Sequence, residues 1–194
     1  MASPWGELDT NRTPRGEHPR AGVADRKRLV RATLSEPLVP VEGMAAVYAQ
    51  WMKRPGAAMH WLTAAPWQLA PVFSEFLDAA GFPRGTFHCK RVRFAGRNVL
   101  KLFEDAAVTK RAALTQLFAT FPRRRFVLVG DTGERDPEVY ADFARAWPER
   151  VLAVWLRDVT GETRTSPRLQ GLFEGVPAGK WAVFTAAENL RWPE

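Results

Sequence analysis

The amino-acid sequence predicts an α/β domain in which a parallel sheet carries helices on both faces. Short apolar runs of β-prone residues alternate along the chain with segments whose apolar residues recur every three or four positions. Parallel strands need a long crossover between them, and a helix is its usual form, so this alternation is typical of β-α-β units. The longest runs therefore predict the strands, and the periodic segments predict the helices.

The first part of the chain divides into a tail and the start of a domain. Residues 1–23 contain Pro, Gly, Arg and Asn with almost no apolar periodicity, so we expect a disordered basic tail there. The domain is expected to span residues 24–194. Its first elements are a short helix that stops before Pro37 and a helix over 43–52. The apolar residues at helical spacing in the second of these are Met44, Val47, Tyr48 and Trp51.

Two strands and one helix are predicted next. The run over 57–62 predicts a strand that ends at Thr63. A helix over 71–80 is expected to stop at Gly81, because glycine is the usual residue just past a helix C-terminus. Residues 86–89 favour a short strand.

The second half of the chain repeats the alternation. A helix over 109–121 precedes a strand over 126–129, which has four apolar residues and suits a buried position. A helix over 137–147 leads to a strand over 151–156. The last strand is predicted at 181–184, after a stretch that reads as a loop.

Composition and charge limit the functional classes. Of the 194 residues, 46% are hydrophobic and 25% are charged, which is typical of a globular domain, and no run approaches the roughly 20 apolar residues of a membrane span. Cys89 is the single cysteine, so an internal disulfide is excluded and a reducing, cytoplasmic location is expected.

The net charge of +7 favours anionic partners. Residues 123–125 are three arginines, but they precede a strand and so lie at the edge opposite the candidate site, which makes nucleic acid an unlikely partner. Arg26, Lys27, Arg28 and Arg31 either attract an anionic membrane surface or form an exposed helix face, and the sequence leaves both open.

The most informative segment joins the strand at 126–129 to the next helix. Gly130 is expected to let the backbone turn, and Asp131, Glu134 and Asp136 follow within one loop. Asp136 stands before Pro137, which predicts an N-cap at the helix start. Ligands bind at the carboxyl ends of parallel strands, and clustered carboxylates there favour a hard cation such as Mg²⁺.

Other polar residues reach the same edge of the predicted sheet. Thr63 ends one strand, and Lys110 begins a helix whose N-terminus is already positive. A bound phosphate would remove that electrostatic conflict, because the ammonium and the free N–H groups would both point at it. The alternative, a solvated lysine without a function, is equally compatible with the sequence.

Several segments together resemble one protein family. Gly130-Asp131-Thr132-Gly133-Glu134-Arg135-Asp136-Pro137-Glu138-Val139-Tyr140 is similar to the signature Gly-Asp-Ser-Gly-Glu-x-Asp-Pro-Glu-x-Tyr of phosphatidate phosphatases related to the actin patch protein, within the haloacid dehalogenase (HAD) superfamily and lipin-like. Residues 61–69 resemble that family's segment ending in Trp-Gln-Leu. The resemblance extends over roughly residues 24–160.

The resemblance implies a mechanism and roles for the candidate residues. HAD phosphatases use an aspartate nucleophile and Mg²⁺ to hydrolyse a phosphomonoester, here phosphatidate, to diacylglycerol and phosphate. Carried over by motif, Thr63 would hydrogen-bond the transferring phosphoryl group and Lys110 would neutralise its charge. Asp131 would ligate Mg²⁺, and Asp136 would be a second or more distant ligand.

The chain departs from the family at the nucleophile. The family's Asp-x-Asp-x-Thr motif follows an apolar strand, whereas this chain offers Asp9-Thr10-Asn11-Arg12-Thr13, with Asn11 in place of the general acid. Asp9 is the candidate nucleophile, and the first strand is expected to be missing. Two interpretations stay open: a Mg²⁺-dependent phosphatase, or a non-catalytic remnant that binds phosphate or a protein partner.

Overall fold

The computed structural model describes residues 38–90 and 106–193. The predicted tail over 1–23, the helix before Pro37 and Asp9 lie outside the described residues. Within those two ranges, no helix is long and apolar enough to cross a membrane.

Helices and strands alternate through the described chain. The α-helices are α1 (Met44–Met52), α2 (Ala70–Ala79), α3 (Ala106–Thr120), α4 (Asp136–Ala146) and α5 (Pro167–Leu172). The strands are β1 (His60–Pro66), β2 (Thr86–Lys90), β3 (Phe126–Asp131), β4 (Val151–Arg157) and β5 (Trp181–Phe184). Single 3₁₀ turns occur at Trp67–Leu69, Ala178–Lys180 and Ala187–Asn189.

The described strands form two parallel sheets. One pairs β1 with β2, and the other has the order β3-β4-β5. The predicted α/β class with parallel strands and flanking helices is confirmed, and the fold is Rossmann-like. Within the described residues, β1 and β3 belong to different sheets.

Several predicted elements differ from the observed ones. β1 starts at His60, where its partner strand starts at Thr86, and it continues past Thr63, which therefore lies mid-strand. α3 begins at Ala106 because Ala106 and Ala107 are good helix formers, so Lys110 is not in the first turn. The predicted loop before the last strand contains α5, which starts on a proline at its first position.

Two apolar layers cover the two faces of the sheets. On one face, α3 and α4 pack on β3 and β4, where Leu128 and Leu156 are fully buried. On the other face, Tyr48 and Phe73 from α1 and α2 pack near Val129. Strand β1 contributes to both layers through its alternating side chains, because Leu62 lies in the first layer and Trp61 and Ala65 lie in the second.

Candidate functional site

The site is built where β3 ends and α4 begins. Gly130 is not the predicted turn residue, because it lies within β3 and pairs with Leu156 of β4. Glycine is needed at this position because it has no side chain: a Cβ there would lie 2.2 Å from Oδ2 of Asp136. Gly130 therefore lets the Asp136 carboxylate lie directly against the strand.

Asp136 is not the predicted N-cap. Arg135 precedes the helix as its cap residue and Asp136 is the first helical residue, with no side chain capping the helix. The Asp136 carboxylate is fully buried, accepts a hydrogen bond from the Asp131 N–H at 3.3 Å and pairs with Lys110. A buried ammonium is a stronger partner for a carboxylate than a neutral N–H group, which explains the difference.

Lys110 reaches this carboxylate from α3. Its side chain is 3% exposed and forms ion pairs with both Asp136 and Glu134. The alternative of a solvated lysine is therefore wrong. The sequence grouped Glu134 with the other carboxylates but did not identify it as the second partner of Lys110.

Asp131 ends β3 and organises the loop that follows. Its Oδ1 accepts hydrogen bonds from the N–H groups of Gly133 and Glu134, each at 3.0 Å. The residue is 3% exposed. These two bonds fold the loop back on the aspartate, so that the carboxylates of Asp131, Glu134 and Asp136 lie close together.

The cluster carries an excess of negative charge. Three carboxylates face one ammonium, which leaves a net charge of −2 when all four groups are ionised (three negative, one positive). Burial raises the pKa of Asp136 to about 6; Lys110 opposes the rise, and Asp131 and Glu134 add to it. Burial, followed by Glu134, also raises the pKa of Asp131. A cation added here would relieve the repulsion.

The ion pair that opposes the rise in the pKa of Asp136 raises the pKa of Lys110. Burial disfavours its charge, but Asp136 and then Glu134 outweigh burial and raise the pKa of the Lys110 ammonium above its usual value. Lys110 therefore stays charged. The pair favours ionised Lys110, whereas burial, and to a smaller extent Asp131 and Glu134, raises the pKa of Asp136.

Thr63 sits on the neighbouring sheet. It is buried in β1, and its Oγ1 accepts a hydrogen bond from the Ala65 N–H at 3.1 Å. Helix α3, which carries Lys110, packs against β1. The structure thus brings Lys110, Asp131 and Asp136 together in one cluster and places Thr63 on β1 of the other sheet, while Asp9 lies outside the described residues.

Tyr140 of α4 is hydrogen-bonded to β3, the strand that ends at the cluster. Its hydroxyl donates to the Val129 carbonyl at 3.3 Å, and burial, followed by Asp136, raises its pKa well above the usual value. The tyrosine is fully buried and stays neutral, so it adds no further charge. The motif contains this residue, but sequence reasoning assigned it no role.

Protein side chains alone form no metal site in the part of the chain that the structure describes. Within residues 38–90 and 106–193, no three His, Cys, Asp or Glu side chains are arranged around one metal position. Mg²⁺ usually takes only one or two carboxylates and completes its shell with water and phosphate oxygens. The buried, excess-negative carboxylates of Asp131 and Asp136 meet that smaller requirement.

The fold and site define a class: a Rossmann-like α/β domain with a buried acidic cluster and a lysine at the carboxyl ends of its strands. The family model for the catalytic domain of phosphatidate phosphatase APP1 matches residues 20–158. The chain therefore belongs to this family of catalytic domains.

Two curated relatives support the assignment. An uncharacterized protein of Schizosaccharomyces pombe (strain 972 / ATCC 24843) is 30% identical over 139 residues, which cover 70% of this chain and 22% of that protein. Phosphatidate phosphatase APP1 of Saccharomyces cerevisiae (strain ATCC 204508 / S288c) is 29% identical over 92 residues, 47% of this chain and 15% of that protein. The matches thus cover less than a quarter of either relative. No solved structure matches the chain.

Proposed function

We propose that this domain is a Mg²⁺-dependent phosphatase that hydrolyses phosphatidate to diacylglycerol and phosphate. The observation that carries the proposal is the buried cluster of Lys110, Glu134 and Asp136 beside Asp131, in a chain of the APP1 catalytic family. Such a cluster combines a fixed positive charge with carboxylates that favour a divalent cation.

Each site residue has a defined task in this proposal. Asp131 and Asp136 hold Mg²⁺, which when bound supplies positive charge to the phosphate oxygens. Lys110 neutralises the charge of the phosphoryl group, and Thr63 donates a hydrogen bond to it once its hydroxyl proton is directed there. Asp9 attacks phosphorus and displaces the diacylglycerol oxygen, which takes its proton from water because Asn11 cannot donate one. A second water then hydrolyses the aspartyl-phosphate, which releases inorganic phosphate and the free Asp9 carboxylate.

The proposal is tested by phosphate release from a short-chain, water-soluble phosphatidate with and without Mg²⁺. We expect release that requires Mg²⁺ and is lost in Asp131→Asn. Asp78→Asn is the matched control, because Asp78 is an exposed helical residue whose ion pair with Arg84 is also exposed. Mg²⁺-independent release, or equal rates for the two variants, would contradict the proposal.

A non-catalytic remnant that binds phosphate or a protein partner is the second candidate. Asn11 favours it, because an asparagine at the position of the general acid cannot donate and recover a proton. Calorimetric titration with inorganic phosphate separates the two candidates. Binding that Lys110→Met abolishes, without any turnover and without an effect of Asp9→Asn, would support the remnant.

We further propose that the domain is cytoplasmic and meets phosphatidate at an anionic membrane surface. Trp67 follows β1 at the same edge as the site and is 57% exposed, and indole rings prefer the bilayer interface. We expect Trp67→Ala to weaken sedimentation with phosphatidate-containing vesicles. Trp147→Ala is the control, since Trp147 is also partly exposed but ends α4 at the other edge. Equal losses in both variants would argue against this docking edge.

A further inference from the structure

Thr132, directly after Asp131, is held on every polar atom. It is 2% exposed, and its N–H donates to the Arg157 carbonyl at 3.0 Å. Its Oγ1 accepts from the Val159 N–H at 3.1 Å and lies 2.9 Å from Oγ1 of Thr160. Its carbonyl accepts from Nη2 of Arg168 at 2.9 Å. All these partners come from the end of β4, the segment after it, or α5.

Further hydrogen bonds among Thr160, Glu162 and Arg168 connect these contacts into a closed ring. Oγ1 of Thr160 also lies 3.1 Å from Oε2 of Glu162, and an ionised carboxylate can only accept. The hydroxyl of Thr160 is therefore the donor to both neighbours, and its one proton is shared between Oγ1 of Thr132 and the carboxylate of Glu162. Glu162 in turn accepts from Nε of Arg168 at 2.9 Å, and Arg168 returns to the Thr132 carbonyl. We call these four residues the Thr132 ring.

The segment that supplies the ring is itself ordered by Asp158. Its Oδ1 accepts from the N–H groups of Thr160, Gly161 and Glu162 at 3.1, 2.8 and 3.0 Å. Gly161 has a φ of +78°, which side-chain-bearing residues rarely adopt. This turn presents Thr160 and Glu162 to the ring without requiring the core to move.

We propose that the Thr132 ring positions Asp131 for metal binding and Glu134 for its ion pair with Lys110, so that the working site extends to Arg168, past the family-matched residues 20–158. Thr132 lies inside the loop that Asp131 closes through Gly133 and Glu134, so a displaced Thr132 displaces both carboxylates. The inference rests on the proposed function for its metal, and its residues are positioning residues that touch neither substrate nor metal.

Two pairs of variants test the ring. Thr132→Val removes the hydroxyl at nearly constant shape, while Thr132→Ser keeps it. Arg168→Met breaks the ring from its partly exposed side and serves if Thr132→Val does not fold. Arg164→Met is its matched control, because Arg164 lies in the same region but donates to the Ala178 carbonyl and stacks on Trp181.

Two measurements are made on each purified variant: hydrogen exchange of the Gly133 and Glu134 amides, and Mg²⁺ affinity by calorimetry. We expect Thr132→Val and Arg168→Met to speed exchange at both amides by about tenfold or more and to weaken Mg²⁺ binding by about 10- to 100-fold, the usual effect of removing groups that orient metal ligands. Thr132→Ser and Arg164→Met should match the wild type.

Unchanged exchange and affinity in Thr132→Val or Arg168→Met, with only a lower unfolding temperature, would overturn the inference, because the ring would then be merely structural. A wild type that binds no Mg²⁺ would contradict the proposed function instead. The exchange comparison would in that case decide alone whether the ring positions the loop.

Discussion

The two sheets of this domain differ in the side chains that surround them and in what they contribute to the candidate site. The three-stranded sheet ends at a cluster of three acidic side chains around one lysine. Asp131 ends β3, Glu134 and Asp136 follow it, and Lys110 reaches them from α3 and forms ion pairs with Glu134 and Asp136. The two-stranded sheet carries one candidate residue, Thr63, and is held by aromatic packing in which Trp61 lies against Tyr48 and Phe82. The charged residues of the candidate site therefore lie beside the three-stranded sheet, and the two-stranded sheet contributes the uncharged side chain of Thr63.

The histidines of the two-stranded sheet make the contrast sharper. His60 and His88 face each other on β1 and β2, with ring nitrogens 3.1 Å apart. Burial, and then His88, lowers the pKa of His60 to about 4, whereas burial raises the pKa of Asp136 to about 6. The histidine of the two-stranded sheet therefore favours its neutral form, whereas the Asp136 carboxyl group beside the three-stranded sheet keeps its proton to a higher pH than usual.

The largest expected effect is from Lys110→Met. Removing the ammonium leaves the buried Asp136 carboxylate uncompensated, and such a loss costs about 3–5 kcal/mol. Urea unfolding at pH 7 measures the change. Lys53→Met, at an exposed lysine just past α1, should change the free energy of unfolding by less than about 0.5 kcal/mol. Similar values for both variants would break the comparison, because the acidic cluster would then not depend on its lysine.

Gly130→Ala should have the next largest effect. The added methyl would overlap the Asp136 carboxylate, and overpacking of this kind costs about 1–3 kcal/mol or more. Gly171→Ala is the control: Gly171 lies within α5, an added Cβ there has no atom within 4 Å, and alanine is the better helix former by about 1 kcal/mol. Unfolding of the two variants should therefore shift in opposite directions. Equal stability for Gly130→Ala and the wild type would show that Asp136 can move away.

The pH dependence of stability should divide between the sheets. The folded-state pKa of His60 is lowered, so its contribution is present above its usual value of 6.5 and is lost as the pH falls through about 4. The folded-state pKa of Asp136 is raised, so its contribution is present below its usual value of 3.8 and is lost as the pH rises through about 6.

The variant His60→Gln separates these opposing contributions. The substitution removes the loss of stability that His60 causes on acidification and leaves the contribution of Asp136 to stability. The free energy of unfolding of the variant should therefore rise relative to that of the wild type as the pH falls from 6.5 to 4. Urea unfolding at several pH values across this range provides the measurement. Parallel profiles for the variant and the wild type would show that the histidine pair has no electrostatic role.

The smallest effect is expected from a pair of buried tyrosines. Tyr140→Phe loses the hydrogen bond to Val129 and should cost about 1 kcal/mol. Tyr48→Phe should be neutral or stabilising, because the Tyr48 hydroxyl is buried without a hydrogen-bond partner among the described residues. Thermal unfolding of both variants checks the difference. A larger loss for Tyr48→Phe would reverse the contrast.

Local patterns in the sequence predicted much of the fold. The strand at Trp181–Phe184 was predicted at both ends, and α1, α2 and α4 were predicted within about a residue, because side-chain periodicity and glycine signals act over a few positions. The grouping of Asp131, Glu134 and Asp136 was predictable for the same reason, since all three lie within the short stretch from the last residue of β3 to the first residue of α4. These features depend on neighbours along the chain.

Only the tertiary structure decided which partners these residues take. Asp136 suits an N-cap by local rules but pairs with Lys110, which lies 26 positions away, and Thr132 is held by Arg168 from 36 positions away. Gly130 suits a turn, yet it stays in the strand because a carboxylate packs on it. The sequence alone determined which chemical groups gather at the carboxyl edge of the sheet. Their pairing depended on burial, because electrostatic contacts between charged groups are stronger in the protein interior than in water. These contacts outweigh the weaker local preferences of the same residues for caps and turns.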